Sequence, residues 1–271
     1  LTRPFLGFVL NPKYIKPFLY IFFVSKWFFS FIYLTKKILL YLFVYTYYTT
    51  IMKNKQNNEL AVCGFAAVKE LEKNQFSRIR RLYFNEQKAP LFGGLCRRLA
   101  KQKGIYNQVN DEDLQKLCGS IHHEGVVAMV TPPQIYPLNE GVIEHWCNNP
   151  QPILYLDHIG NPNNFGAIIR SAAFFGIKDI IIPLDENQTK VTTSTYRIAK
   201  GGMEYVNIFS VKNPDYFFKD ISGKIVIFGT DVNTKLSINK ISELCKSNNT
   251  KKSSLIILGN EEKGISEQIK K

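Results

Sequence analysis

The chain has 271 residues, 45% hydrophobic and 21% charged, a balance that excludes disorder over most of its length and leaves room for two ordinary domains. Its net charge of +13 points to a polyanionic partner, either a nucleic acid or an acidic membrane surface. Arg3, Lys13, Lys16, Lys26, Lys36 and Lys37 precede the first acidic residue, Glu59, so six of those positives fall before Met52 and seven belong to the rest.

Residues 1–51 form a segment of their own. Pro17 to Tyr48 is apolar and aromatic, broken by Lys26 and Lys36-Lys37. It reads as two short membrane spans, Phe18 to Leu34 and Ile38 to Ile51, each near the lower limit of about 17 residues for a crossing. Lys26 would then sit close to the middle of the first span, a costly place for a charge. No small-residue cleavage site follows, which argues against a signal peptide. The other reading is translated noncoding DNA. The first methionine is Met52, 17 of the 36 aromatic residues precede it, and no alanine does. Under that reading a chain starting at Met52 is soluble and the earlier residues are dispensable.

Residues 52–130 read as a small α/β domain. Gly64 to Asn74 has helical spacing through Phe65, Val68 and Leu71, and Ile79 to Phe84 reads as a strand. Pro90 to Lys103 resumes helical spacing until Gly104 stops it. Asp111 to Cys118 opens with acidic residues, favourable at a helix N-terminus, and Gly125 to Val130 is a buried-strand candidate. Residues 131–151 are proline-rich and read as a linker with a short helix around Gly141 to Trp146.

From residue 152 onward, strands and helices alternate. Ile153 to Ile159, Asp179 to Pro183, Tyr205 to Val211, Lys224 to Gly229 and Ser254 to Gly259 read as strands. Phe165 to Phe175 and a stretch ending at Gly201-Gly202 read as helices. The alternation implies a mostly parallel sheet, whose ligands bind outside the carboxyl ends of its strands.

At that edge the first strand runs into Asp157-His158-Ile159-Gly160-Asn161-Pro162-Asn163-Asn164, a turn that can cap the following helix. Arg170 is expected one turn into that helix, and a polar cap and an arginine on the same helical entry make an anion clamp. The fifth strand delivers Gly259, Asn260, Glu261 and Gly264, with glycines where a backbone must approach a ligand closely. No G-x-G-x-x-G follows any strand, so the usual dinucleotide fingerprint is missing. The cysteines (Cys63, Cys96, Cys118, Cys147 and Cys245) form no C-x-x-C pair and are odd in number, which argues against a disulfide framework. The four histidines show no metal-ligand spacing, and no metal is expected. Arg78, Arg80, Arg81, Arg97, Arg98, Lys101 and Lys103 form a basic cluster suited to phosphates or to a solvated face.

Asn164, Gly166 and Arg170 in NPNNFGAIIRSAAFFG, with LIILGNEEKGIS and IAKGGMEYV, resemble the motifs of the SpoU/TrmH family of RNA 2′-O-ribose methyltransferases. The resemblance covers Ile153 to the chain end. VCGFAAV, at Val62, resembles the start of the L30e-like substrate-binding domain often fused in front. The resemblance implies an α/β fold, a SPOUT-type mostly parallel sheet with a trefoil knot, preceded by the small L30e-like domain. It implies methyl transfer from S-adenosylmethionine to a ribose 2′-hydroxyl of tRNA or rRNA, by a cytoplasmic homodimer without a metal. A membrane partner arises only if residues 1–51 are translated.

By the same resemblance Arg170 is the central catalytic residue, often described in the family as the general base, with Asn164 positioning it and Glu261 orienting the loop or binding substrate. A guanidinium keeps its proton, so Arg170 is read here as a clamp on phosphate and hydroxyl. Thr230 and Gly259, at strand ends, and Gly264 are the donor-pocket candidates, and Arg78, Arg81, Arg97 and Arg98 of the basic cluster are the candidate RNA contacts. The family pattern continues to a Ser-Leu-Asn motif that closes the knot and does not occur before Lys271. The expectation is therefore an incomplete knot, weak donor binding and little transfer by these 271 residues. The alternative is an RNA-binding protein without catalysis.

Overall fold

The computed structural model of the protein describes residues 58–231, 234, 237, 246–247 and 250–270. The segment 1–51, read as membrane spans or translated noncoding DNA, lies outside the described residues. Among the described residues no helix is long and apolar enough to cross a membrane.

The first sheet is built from β1 (Leu60–Cys63), β2 (Ile79–Phe84), β3 (Ile105–Gln108) and β4 (Val126–Val130), in the order β1-β4-β2-β3. β4 runs antiparallel to β1 and β2, and β3 joins β2 in parallel. Every residue of β4 is buried, because its alternate side chains enter two different cores. Val126, Ala128 and Val130 face one, and Val127 and Met129 face the other. Three helices accompany this sheet: α1 (Phe65–Asn74), α2 (Gly93–Lys101) and α3 (Asp111–Cys118).

β2 and α3 keep the bounds expected from sequence. The helix expected from Pro90 starts only at Gly93, because Ala89–Phe92 forms a tighter 3-10 turn. It ends at Lys101, and the chain reverses through Lys103 at φ +57. β1 and β3 were not anticipated. Each has four residues, and all of β3 is exposed, so no apolar alternation marks it.

The second sheet holds six strands: β5 (Tyr136–Pro137), β6 (Pro152–Leu156), β7 (Asp179–Pro183), β8 (Asn207–Val211), β9 (Val226–Gly229) and β12 (Ser254–Leu258). Their order is β5-β8-β7-β6-β12-β9, and every neighbouring pair is parallel. Between β9 and β12, β10 (Lys246–Ser247) and β11 (Thr250–Lys251) pair as a short antiparallel ladder. The associated helices are α4 (Glu140–Asn148), α5 (Pro162–Phe174), α6 (Thr193–Ala199), α7 (Pro214–Ile221) and α8 (Glu267–Lys270).

β6 shows why this sheet reads as continuous apolar runs. Leu154 and Leu156 pack with Phe165, Ile169 and Tyr196 on one face, while Ile153 and Tyr155 pack with Trp146, Phe209 and Phe217 on the other. A strand covered on both faces has no polar side to alternate with.

The proline-rich stretch 131–151 is only in part a connector. Tyr136 and Pro137 pair with β8, and α4 buries Ile143 and Trp146 in the second core. Trp146 Nε1 donates to Asp179 Oδ2 at 2.7 Å, and the same buried carboxylate accepts from Gln151 Nε2 at 3.0 Å and Asn207 Nδ2 at 2.8 Å. Those donors satisfy a charge that would otherwise be expensive to bury.

Candidate functional site

β6 and β12 are neighbours, so the loops that leave their carboxyl ends lie side by side. After β12 the chain folds tightly on itself. Asn260 and Gly264 exchange backbone hydrogen bonds of 3.0 and 2.9 Å, and Asn260 Oδ1 accepts from the amides of Glu262 (3.0 Å) and Lys263 (3.1 Å). Gly264 holds φ +67, the left-handed region that glycine enters at no steric cost. Gly259 has a different reason to be glycine: a Cβ there would lie 2.3 Å from Gly264 C and from Ile265 N.

Two further bonds tie this loop to the end of β6. Asn260 Nδ2 donates to the His158 carbonyl at 2.9 Å, and the Ser266 amide donates to buried Asp157 Oδ2 at 2.6 Å. Glu261 is thereby presented to Asn164, whose amide donates to it.

Beside the loop is a cleft of about 680 Å3, lined by Gly229, Thr230, Asp231, residues 259–265 and Lys270. Thr230, Gly259 and Gly264, the donor-pocket candidates, all line it together with Glu261. The Thr230 hydroxyl donates to the Ile257 carbonyl at 2.9 Å, so it fixes the rim of the cleft to β12.

Arg170 is placed elsewhere. Asn161 caps α5 by accepting from the Asn163 amide at 2.8 Å, and Pro162 occupies the first turn, where its missing N–H costs nothing. Arg170 comes eight residues after Pro162, about 12 Å along the axis, so cap and arginine do not form one anion clamp. Asn164 pairs with Glu261 and is not the hydrogen-bond partner of Arg170. Arg170 is exposed and makes no hydrogen bond or ion pair among the described residues. It lines a second groove, of about 610 Å3, with Glu70, Phe174, Lys200 and Tyr205. Gly166, the middle residue of the motif, is a packing residue. A Cβ there would lie 2.6 Å from the Thr195 carbonyl, so it allows α5 and α6 to touch.

The four arginines expected to contact RNA divide into two pairs. Arg97 and Arg98 are exposed on α2. Arg98 also stacks over the Phe76 ring at 3.9 Å. Arg81 is ion-paired with Glu59. Arg78 is largely buried between the two sheets' domains, where Nε donates to the Thr131 carbonyl at 3.0 Å and Nη2 to the Tyr196 hydroxyl at 2.6 Å. Its Nη1 lies 3.5 Å from Glu204 Oε2.

Three other contributors were not assigned roles from sequence. Asp157 anchors the glycine loop, and its signal was an acidic residue closing an apolar strand. Lys270 lines the cleft from α8. Arg197 Nη2 reaches Asn163 Oδ1 at 3.4 Å from α6, and no motif marked it. Among the described residues no group of three or more His, Cys, Asp and Glu side chains is placed to hold a metal ion.

Comparison with known proteins agrees with this layout. Residues 151–271 match the SpoU rRNA Methylase family, and residues 61–136 match the RNA 2′-O ribose methyltransferase substrate binding family. An uncharacterized tRNA/rRNA methyltransferase of Haemophilus influenzae is 29% identical over 157 residues, 58% of this chain and 44% of its own length. The 23S rRNA (guanosine-2′-O-)-methyltransferase RlmB of Acinetobacter baylyi is 40% identical over 118 residues, 42% of this chain and 46% of its own. The chain thus spans under half the length of these two relatives.

Among solved structures, the AdoMet-bound rRNA methyltransferase of Sinorhizobium meliloti superposes with a TM-score of 0.61 at 17% identity, covering 83% of this chain and 80% of that one. The likeness shows the shared α/β fold with its mostly parallel sheet. With the glycine loop and the Asn164–Glu261 pair at the carboxyl edge of that sheet, residues 151–271 form a SpoU rRNA methylase domain, preceded at residues 61–136 by an RNA 2′-O ribose methyltransferase substrate-binding domain.

Proposed function

We propose that the protein transfers the methyl group of S-adenosylmethionine to a ribose 2′-hydroxyl of rRNA or tRNA. The observation that carries this reading is the cleft beside the Gly259–Ile265 loop, with the Asn164–Glu261 pair on its border. A related protein carries a 23S rRNA guanosine-2′-O name.

The cleft fits the donor in size and chemistry. Its volume of about 680 Å3 falls within the range of about 300–1,000 Å3 usual for small-molecule sites. Gly229, Gly259 and Gly264 leave backbone accessible there, and Thr230 and Glu261 add polar groups. When bound, S-adenosylmethionine supplies an electrophilic methyl group on a cationic sulfur. Glu261 holds the loop through Asn164, and Gly259 sets the loop's closeness to β12. Arg170 binds RNA phosphate and orients the ribose hydroxyl. A guanidinium keeps its proton at neutral pH, so its contribution is charge and alignment.

Residues 61–136 bind the RNA, with Arg97 and Arg98 as exposed phosphate contacts. The methylase domain takes in β5 and α4, so it starts ahead of residue 152. The protein acts as a homodimer. Phe174 and Phe175 are 83% and 75% exposed, and a groove of about 290 Å3 lined by Leu154, Ala167, Ile168, Phe175 and Leu258 continues from them. Apolar area of that kind at the surface favours a protein partner. Among the described residues Cys63, Cys96, Cys118 and Cys147 are free thiols, which fits a reducing compartment such as the cytoplasm.

The test is transfer of a labelled methyl group from S-adenosylmethionine to rRNA and tRNA by the protein expressed from its native gene. Label recovered as a 2′-O-methylnucleoside supports the proposal. RNA binding without any label would favour the RNA-binding alternative.

A further inference from the structure

We infer that Arg78, Glu204 and the Gly201-Gly202 turn form a latch that sets the position of Arg170 relative to the substrate-binding domain, and that Arg78 is a positioning residue and not an RNA contact. The inference rests on the participation of Arg170 in methyl transfer.

The geometry begins at the end of α6. Lys200 takes φ +50 and Gly201 φ +94, so the helix stops abruptly and the chain turns into a 3-10 segment, Gly202–Tyr205. The two glycines face different domains. A Cβ on Gly201 would lie 2.7 Å from Glu70 Cγ and 3.3 Å from the Ala66 carbonyl, both on α1 of the substrate-binding domain. A Cβ on Gly202 would lie 3.1 Å from Arg170 Cα and 3.3 Å from the Ile169 carbonyl, on α5. The turn is therefore a thin spacer between α1 and the backbone that carries Arg170.

Both ends of the spacer are fastened to the substrate-binding domain. Lys200 is ion-paired with Glu124, which also accepts from the Phe65 amide at 2.9 Å, the first amide of α1. At the other end the Tyr205 hydroxyl donates to Glu70 Oε2 at 2.5 Å. Between them, Glu204 has a side chain only 1% exposed and meets Arg78 at 3.5 Å. Burial holds the Glu204 carboxyl above the usual range, partly offset by Arg78 and the Tyr196 hydroxyl. Arg78 uses Nε, Nη1 and Nη2 for three different partners: Thr131, Glu204 and Tyr196. A planar fork can reach three separated partners at once, whereas the three donors of a lysine ammonium leave one compact nitrogen. Lysine does serve as a phosphate contact.

That difference supplies the test, made on the native full-length protein with Arg78→Lys, Glu204→Gln and Gly202→Ala. Hydrogen–deuterium exchange of the peptide carrying Arg170 is read for each, together with RNA binding against salt and steady-state transfer. Exchange at the Arg170 peptide is expected to rise in all three. Arg78→Lys is expected to lower kcat about 10- to 100-fold, as a displaced orienting group does, with KM for RNA changed by less than about twofold. The salt dependence of RNA binding should stay as in wild type.

Near-wild-type kcat and exchange in Arg78→Lys would overturn the latch, and so would a salt slope that falls by about one phosphate contact when Arg78 is replaced by Ala, which removes the charge that lysine keeps. A wild-type protein that transfers no methyl group would instead remove the proposed activity. The exchange and salt readouts would then still decide whether the turn holds Arg170.

Discussion

Glu124 shows how much one side chain can hold at a domain junction. Its carboxylate accepts from Lys200 and from the first amide of α1, and Lys200 followed by that amide holds its pKa below the ordinary glutamate value of 4.5. A depressed carboxyl contributes stability that is fully present above 4.5 and is lost as pH falls below it towards the folded value. Thermal melts between pH 7 and 3 should therefore show a steeper acid loss in wild type than in Glu124→Gln. Parallel melting curves would remove Glu124 from the acid transition.

The basic cluster was legible as charge, and its partners were not. Arg78 and Arg81 bind carboxylates on Glu204 and Glu59, residues that no spacing rule connects to them. If the two exposed arginines contact phosphates, replacing Arg97 and Arg98 by Ala should reduce the salt slope of single-stranded RNA binding by about 0.7 per lost contact. An unchanged slope would make them a solvated face.

At the scale of elements, the glycine loop after β12 was the clearest signal, since glycines and a carboxylate followed an apolar strand. The structure adds the reason for its tightness. Gly259→Ala would push a Cβ into the Gly264–Ile265 backbone at 2.3 Å, and backbone cannot rotate away as a side chain can. Overpacking of this kind costs about 1–3 kcal/mol, and the loop should open to relieve it. Calorimetric titration with S-adenosylmethionine should show the donor affinity of this variant weakened about tenfold or more, the equivalent of 1.4 kcal/mol. Unchanged affinity would place the donor elsewhere.

The strands β6, β7 and β12 were legible because each carries a continuous apolar run, and β8 and β9 because apolar residues dominate them, although Asn207 and Ser210 interrupt β8. β5 was not, because two residues of ordinary sequence carry no period. α4 was foreseen only as a short helix within a linker. Its weight in the fold comes from Trp146, fully buried and bonded to Asp179, a partner thirty-three residues away. Trp146→Ala should cost about 3–5 kcal/mol in denaturant unfolding. A loss below about 1 kcal/mol would mean that α4 is a peripheral connector, since peripheral substitutions stay within a few tenths.

At the scale of the whole molecule, both sheets and the helices packed on them feed one apolar cluster. Val62, Val68, Leu82 and Leu95 from the first meet Leu154, Phe165, Ile169 and Tyr196 from the second. The order of the two domains was legible from their motifs. Their shared core was not, because apolar residues do not announce which neighbour they pack against. The consequence for function is that α5 is held on one side by the methylase sheet and on the other by the turn that touches the substrate-binding domain.

The proposed chemistry has a direct chemical readout. Alkali cleaves RNA through the 2′-hydroxyl, so a methylated ribose leaves a gap in an alkaline hydrolysis ladder. A target RNA treated with the wild-type protein and S-adenosylmethionine is expected to show a discrete gap. The same RNA treated with Arg170→Ala should show none, while donor binding stays within about twofold, as for an interaction made only with the reacting RNA. A complete ladder with methyl label on a base, or an unchanged gap with Arg170→Ala, would contradict ribose methylation through Arg170.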